Sequence, residues 1–400
     1  MFFNGLSPKK DKCCGCGGCS QICPKNAITM STDDDGFIMP TVNTDLCIEC
    51  GLCEKVCPII NGEKVVSREE PTCYGAINKN RSELMSSSSG GIFSVIAEYV
   101  LNKGGIIYGA AFDDNMQLSH IGIDRKEDLF KLRGSKYLQS NIKDVFIQIR
   151  NNLKEGRLVY FTGTGCQVAG LKCFLRKDFD NLICSDILCH GTPNQQVFDE
   201  VIKSLEHKYK GKVVGYDFRD KKINGWSCSS SSSSIERNGK VKYIGFDPIM
   251  QCYFNAFIKG ADYRDVCYKC PFAQDRRSGD ITLADFWGAE NYLPLKDKRA
   301  GISAILVNTE KGKALLNEIK EDITLYDAKL DDIKVINKTL IAPTPKPKIR
   351  DSFFDKFKEN PLSFLLSFNG NLKKAQILFQ IKKTIKTNPI LYKLLRLIRK

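Results

Sequence analysis

Residues 13–24 read C-C-G-C-G-G-C-S-Q-I-C-P, and residues 47–58 return to the same spacing as C-I-E-C-G-L-C-E-K-V-C-P. Both fit C-x2-C-x2-C-x3-C-P. Three thiols at this spacing share one tight loop, while the fourth stands off beyond a short turn. Between the runs, A-I-T-M at 27–30 and F-I-M-P-T-V at 37–42 are strand-like and flank the turn D-D-D-G. The repeat therefore predicts a compact α+β module over residues 1–62. The polar stretch N-G-E-K-V-V-S-R-E-E-P that follows reads as a linker.

Eighteen cysteines in 400 residues are many, whereas apolar and charged contents are ordinary for a globular chain. The opening M-F-F-N-G-L-S-P-K-K has no signal-peptide pattern. No apolar run approaches the roughly 20 residues of a membrane span. The expectation is a cytoplasmic protein whose thiols serve metal or redox chemistry rather than disulfides. Three thiolates on a loop can cap one face of a [4Fe–4S] cube and leave one iron to a distant cysteine. In bacterial-type two-cluster ferredoxins the fourth cysteine of each run ligates the other cluster. The expected sets are Cys13, Cys16, Cys19 and Cys57 for one cluster, and Cys47, Cys50, Cys53 and Cys23 for the other. A pair of zinc knuckles is the alternative, disfavoured by the third close cysteine and the proline. Cys14 reads as a spare thiol.

From about residue 72, short apolar runs alternate with helical periodicity, which argues for an α/β core. Helices are predicted from Gly90-Gly91 to about residue 102 and over 141–154, 166–176 and 195–209. Strands are predicted at 106–112, 157–161 and 182–186. Residues 211–245 look like a hairpin turning at Asn238-Gly239, with the serine run 229–234 as an edge strand. The expected divisions are 72–150 and 151–335, as two parts of one core, and a basic, Pro-rich and helical tail over 341–400. That tail holds +11 of the net charge of +14.

Outside the repeat, Cys166 lies in G-T-G-C-Q, Cys189 in I-L-C-H-G-T-P, and Cys267 with Cys270 in C-Y-K-C-P-F. Four thiolates are the complement for a third cubane. Taken singly, each would read as a small buried hydrophobe, the reading kept for Cys73, Cys173, Cys184, Cys228 and Cys252.

Several motifs occur in order: S-S-G-G-I-F-S, R-G-S-K-Y-L-Q-S, F-T-G-T-G-C-Q-V-A-G-L, D-I-L-C-H-G-T-P, F-R-D-K, G-W, C-Y-K-C-P-F and D-I-T-L-A-D-F-W-G. Together, over about residues 74–293, they resemble the beta-subunit family of coenzyme F-420 hydrogenases and dehydrogenases. That family also includes plant 7-hydroxymethyl chlorophyll a reductase. The resemblance implies an FAD flavoprotein core with a [4Fe–4S] cluster, here fused behind the ferredoxin module. It supports Cys166, Cys189, Cys267 and Cys270 as the third ligand set. The family usually has proline where Gly165 stands, which leaves the local loop path open.

With that resemblance, Ser88, Ser89, Gly90 and Gly91 are candidates for the FAD pyrophosphate at a helix start. An ordinary serine cap is the alternative. Arg133, Lys136, Tyr137 and Gln139 offer a cation, a stacking ring and an amide to cofactor or substrate, and Thr162, Gly163 and Thr164 are placed beside the flavin. His190, next to a proposed ligand, is the candidate proton donor, or else a structural imidazole. Asp285 either orients substrate or caps a turn.

The expected function is electron transfer from ferredoxin or another low-potential donor, through the clusters and FAD, to an unidentified organic substrate. The alternatives are a coenzyme F-420 oxidoreductase subunit and a non-enzymatic electron-transfer adaptor. In the tail, Leu391, Leu394, Leu395 and Ile398 form an apolar stripe on a basic helix. That helix suits peripheral contact at the inner membrane surface, docking on the body, or an acidic ferredoxin. No nucleic-acid reading module is present.

Overall fold

A computed structural model describes residues 8–226 and 230–370. The apolar stripe at 391–398 and Cys228 lie outside the described residues.

In the N-terminal module, β1 (Ile28–Thr32) and β2 (Ile38–Val42) pair antiparallel with Ile28 opposite Val42. The side chain of Asp33 accepts the backbone N–H of Asp35 and Phe37 and so closes the turn between them. Each cysteine run turns at a left-handed glycine, Gly17 at φ +71° and Gly51 at φ +68°. A short helix follows each glycine, Gly18–Ile22 and Leu52–Lys55, so the two runs have the same local shape. The predicted linker is not free. Ser67 bonds Arg277 and Asn308 of the next domain, and Val66 packs with Ala169 and Phe272.

The remaining strands are β3 (Thr72–Asn78), β4 (Ile106–Phe112), β5 (Leu118–Ile123), β6 (Val159–Thr164), β7 (Leu182–Ile187), β8 (Lys212–Asp217), β9 (Ser232–Arg237), β10 (Lys240–Ile244), β11 (Ile281–Asp285), β12 (Ser303–Val307) and β13 (Ile323–Ala328). Eight form one sheet in the order β13-β3-β12-β11-β7-β6-β4-β5. Strands β11, β7, β6 and β4 run parallel at its centre, with antiparallel pairs on both flanks. Alternation along these strands gives the sheet two apolar faces. Ile107, Tyr160 and Ile183 pack on helices Ile92–Asn102 and Glu310–Ile319. Their neighbours Tyr108, Phe161 and Cys184 pack on helices Val145–Lys154 and Gly165–Leu175. Residues 72–150 and 151–335 therefore contribute to one sheet.

Two expectations need correction. The serine run does not form an edge: β9 is the middle strand of a sheet ordered β10-β9-β8. Its hydroxyls are satisfied internally, Ser232 by Asp220 and Ser233 by Gly215 O, so a serine-rich strand can be buried. Residues 341–370 are no appendage either. Phe353, Phe354, Phe357, Leu365 and Phe368 are buried with Phe198, Phe218 and Tyr253 in one aromatic cluster.

Candidate redox site

Folding brings each N-terminal run together with the last cysteine of the other. Cys13, Cys16, Cys19 and Cys57 line one cavity, and Cys23, Cys47, Cys50 and Cys53 line another of about 190 Å³. The two differ in depth: Cys16 and Cys19 are buried, whereas Cys47 and Cys50 are exposed. Among the described residues, no three His, Cys, Asp or Glu side chains converge as one metal ion would require. The thiols of each set line a shared cavity instead.

A third thiol set forms where the central strands end. Thr164 closes β6 and caps helix Gly165–Leu175 through a capping box with Gln167. The signature T-x-x-Q is visible in the sequence. Gly165 is the first helical residue, the position where proline is also favoured, so the glycine leaves the expected path intact. Cys166 follows it. Cys189 sits in the loop after β7. Cys267 lies on the single turn Asp265–Lys269, with Cys270 just beyond. All four line one cavity, together with His190 and Arg264. Val66, Ala169 and Phe272 form an apolar cluster against Cys166 and Cys270. Behind it, the carboxylate of Asp186 meets the Arg277 guanidinium at 2.8 Å, and Arg277 also donates to Phe272 O.

Close packing makes the bare thiols hard to ionise. Burial and the neighbouring thiols push Cys270 up to about 12 and raise Cys189 and Cys267 in the same way. Cys166 is raised first by its contact with Cys14 and then by burial, while Arg264 pulls the other way. His190 lines the cavity with an exposed edge, and burial lowers its pKa.

Two comparisons give this geometry a context. Residues 12–59 match the model of the 4Fe-4S dicluster domain. Residues 156–332 match the model for the C terminus of the beta subunit of coenzyme F420 hydrogenase/dehydrogenase. The chain carries both matches. It is an iron–sulfur electron-transfer oxidoreductase related to the F420 hydrogenase beta subunit. Among solved structures, a chain of the xenon-derivatized F420-reducing [NiFe] hydrogenase complex from Methanosarcina barkeri aligns at 16% identity with a TM-score of 0.43. That alignment covers 73% of this chain and 92% of the other. No curated protein matches. None of the described helices is long and apolar enough to cross a membrane.

The contact between the dicluster domain and the beta-subunit domain holds residues that carry no signal in the sequence. Arg264 is buried and donates to Cys13 O at 2.6 Å, Ile38 O at 2.7 Å and Gln139 Oε1 at 2.9 Å. These partners are neutral, so its charge lies close to the thiols uncompensated. Gln139, expected at the flavin, also donates to Cys14 O and belongs to this interface. Cys14, expected as a spare thiol, lines both the first N-terminal cavity and the core cavity.

The other flavin candidates fall into one connected stretch of the beta-subunit domain. Ser88 Oγ accepts from Ser135 N, and Arg133 pairs with Glu83 at 2.5 Å. Ser89 Oγ donates to Ile302 O, and Gly90 N donates to Ser303 Oγ, so both are tied to the β12 region. Gly91 is the left-handed cap of helix Ile92–Asn102. Tyr137 stacks on Phe257 at 4.4 Å, and its hydroxyl meets Arg219. Its ring is thus part of the aromatic core rather than a free platform. Thr162 O bonds His120, Gly163 lies against Gln167 and His120, and Thr164 Oγ1 is 3.1 Å from Cys166 Sγ.

Lys221, the last residue of F-R-D-K, is not among the expected cofactor residues. It is buried beside this stretch and donates to the carbonyls of Leu84, Ser89 and Ala300. Lys136 likewise donates only to carbonyls, those of Lys131, Arg133 and Gly134. Burial lowers both lysines to about 7. Arg219 contacts Asp285 at 3.5 Å and lies over the Trp287 ring, and Asp285 accepts the Trp226 indole N–H at 2.6 Å. Lys136 is a candidate from its motif and Lys221 ends the motif F-R-D-K, but only the structure shows that both are buried beside this stretch.

Proposed function

We propose that the chain is an iron–sulfur flavoprotein oxidoreductase that takes electrons from ferredoxin or a similar low-potential donor and reduces an organic substrate. The observation that carries this reading is the third thiol set. Cys166, Cys189, Cys267 and Cys270 come from three separate segments and surround one cavity at the carboxyl ends of parallel strands, where α/β sheets place their ligands. The proposed ligands are these four for a core [4Fe–4S] cluster. Cys13, Cys16, Cys19 and Cys57 hold the first N-terminal cluster, and Cys47, Cys50, Cys53 and Cys23 the second.

For the flavin, support comes from the two buried lysines. Lys136 and Lys221 form no salt bridge among the described residues, although Asp217 acts on both and Asp285 on Lys221 from farther off, and both lie against the segments that carry residues 88–91 and Arg133. A buried ammonium held only by carbonyls gains from an anion nearby. The pyrophosphate of FAD supplies one. When bound, the clusters provide one-electron steps and the flavin a two-electron store that can deliver a hydride equivalent. His190, open to solvent on one edge, is the proposed proton donor in its imidazolium form, which burial disfavours. The donor meets the exposed Cys47 and Cys50, beside Leu46 and Ile48, which are 50% and 58% exposed.

Anaerobic reconstitution tests the reading. The expected content is about twelve iron atoms with one FAD per chain, and reduced ferredoxin should bleach the flavin. Protein that holds its iron but no flavin would end the flavoprotein reading.

A further inference from the structure

Cys166, Gly170 and Cys173 recur at i, i+4 and i+7 on helix Gly165–Leu175 and so share one face. At the head of that face, Cys166 belongs to the core cavity. One turn on, the helix meets the dicluster domain. A Cβ at Gly170 would lie 3.0 Å from Cys16 Cβ and 3.1 Å from Cys16 Sγ, so only glycine lets the two come this close without a shift. A turn further, Cys173 is buried on the same face. From the dicluster side, Cys14 lines both cavities, and its thiol reaches Cys16 and Cys166. The cavity of Cys23, Cys47, Cys50 and Cys53 shares no lining residue with either of the other two.

We propose that Gly170 and Cys14 form the electron junction between the two domains. The core set then exchanges electrons with the first N-terminal set, and the second N-terminal set is the outer terminal. The inference rests on the functional reading above. At this junction one electron leaves the first site as one enters the core site; no bond forms or breaks. Tunnelling falls steeply with separation, so the missing side chain at 170 sets the rate. Cys14 is a positioning residue. Its S–H can donate weakly to a ligand sulfur on either side, and such bonds tune cluster potentials.

The experiment uses full-length, anaerobically reconstituted protein, with iron analysis and electron paramagnetic resonance of the reduced state. Wild type should show spin coupling between the core signal and one other cluster. Gly170→Val should keep its iron, lose that coupling and slow reduction of the core by reduced ferredoxin by about tenfold, as the inserted side chain forces the domains apart. Gly170→Ala should do the same in part. Cys14→Ala should keep both iron and coupling but shift the potentials of the coupled pair alone. Cys47→Ser, which removes the outer cluster, should leave the coupling in place. Unchanged coupling and rate in fully loaded Gly170→Ala or Gly170→Val would overturn the junction, and so would loss of coupling in Cys47→Ser. Wild type with only about eight iron atoms would instead remove the third cluster and the functional reading with it.

Discussion

The outer and core thiol sets contain the same four sulfurs in opposite settings. In the outer set, Cys47 and Cys50 are exposed on a loop of the dicluster domain. None of the core four is exposed, and they come from segments as far apart as residues 166 and 270. One set is assembled by a local repeat and opens to solvent. The other is assembled by tertiary folding and is sealed between two domains. Under the proposed function, the difference would separate the entry point for electrons from the site where chemistry is protected.

Breaking the core set should have the larger effect. Cys189→Ser should lower iron from about twelve to about eight atoms per chain, and turnover by about a hundredfold or more. Cys47→Ser should lose a similar amount of iron yet keep turnover with a small reducing dye that bypasses the outer terminal. Equal loss with dye and ferredoxin would erase the distinction.

The seal itself is testable through Arg264. Arg264→Met would leave Cys13 O, Ile38 O and Gln139 Oε1 without their buried donor. The expected loss is about 3 kcal/mol in anaerobic urea unfolding, since each unsatisfied buried group costs about 1–3 kcal/mol. Chelator challenge of the wild type should then empty the exposed outer set about fivefold faster than the core, as followed by the two spectral signals.

Smaller effects come from titration. Lys136 and Lys221 fall to about 7 on burial, whereas an unfolded lysine titrates near 10.4. Between those values the unfolded chain holds more protons, so stability of the flavin-free protein should rise with pH across that window. An anionic cofactor favours the charged lysines, so FAD affinity should weaken severalfold as pH rises through about 7, read by flavin fluorescence. Smallest of all, His190→Gln should cut turnover by less than about fivefold. It should also flatten the alkaline limb of the pH profile, where wild type loses imidazolium, a loss that burial moves to lower pH.

Legibility follows the range of the contacts. The crossed cysteine runs are readable because spacing and loop shape are local, and the periodicity of helix Gln195–Tyr209 predicts it to the residue. The core set joins four separated cysteines only by resemblance, because spacing cannot say which distant loops meet. Cys14 shows the limit most sharply: in a C-C doublet the sequence does not reveal which thiol points at which neighbour. Residues 341–370 look like a tail because lysines dominate the average. The signal against that is the phenylalanine spacing at 353, 354, 357, 364 and 368, which places an aromatic face on the core.

That C-terminal segment also reaches back over both domains. Arg350 contacts Asp35 at 3.5 Å and Asp265 at 3.2 Å, and Thr344 donates to His190 O. The clasp that closes the core cavity is thus made from residues translated after every strand of the sheet. During synthesis, the dicluster domain and the sheet can each fold while the cavity between them still lacks its last wall. The inner thiols stay open to solution in that interval, until Pro343 and Thr344 reach the cavity wall.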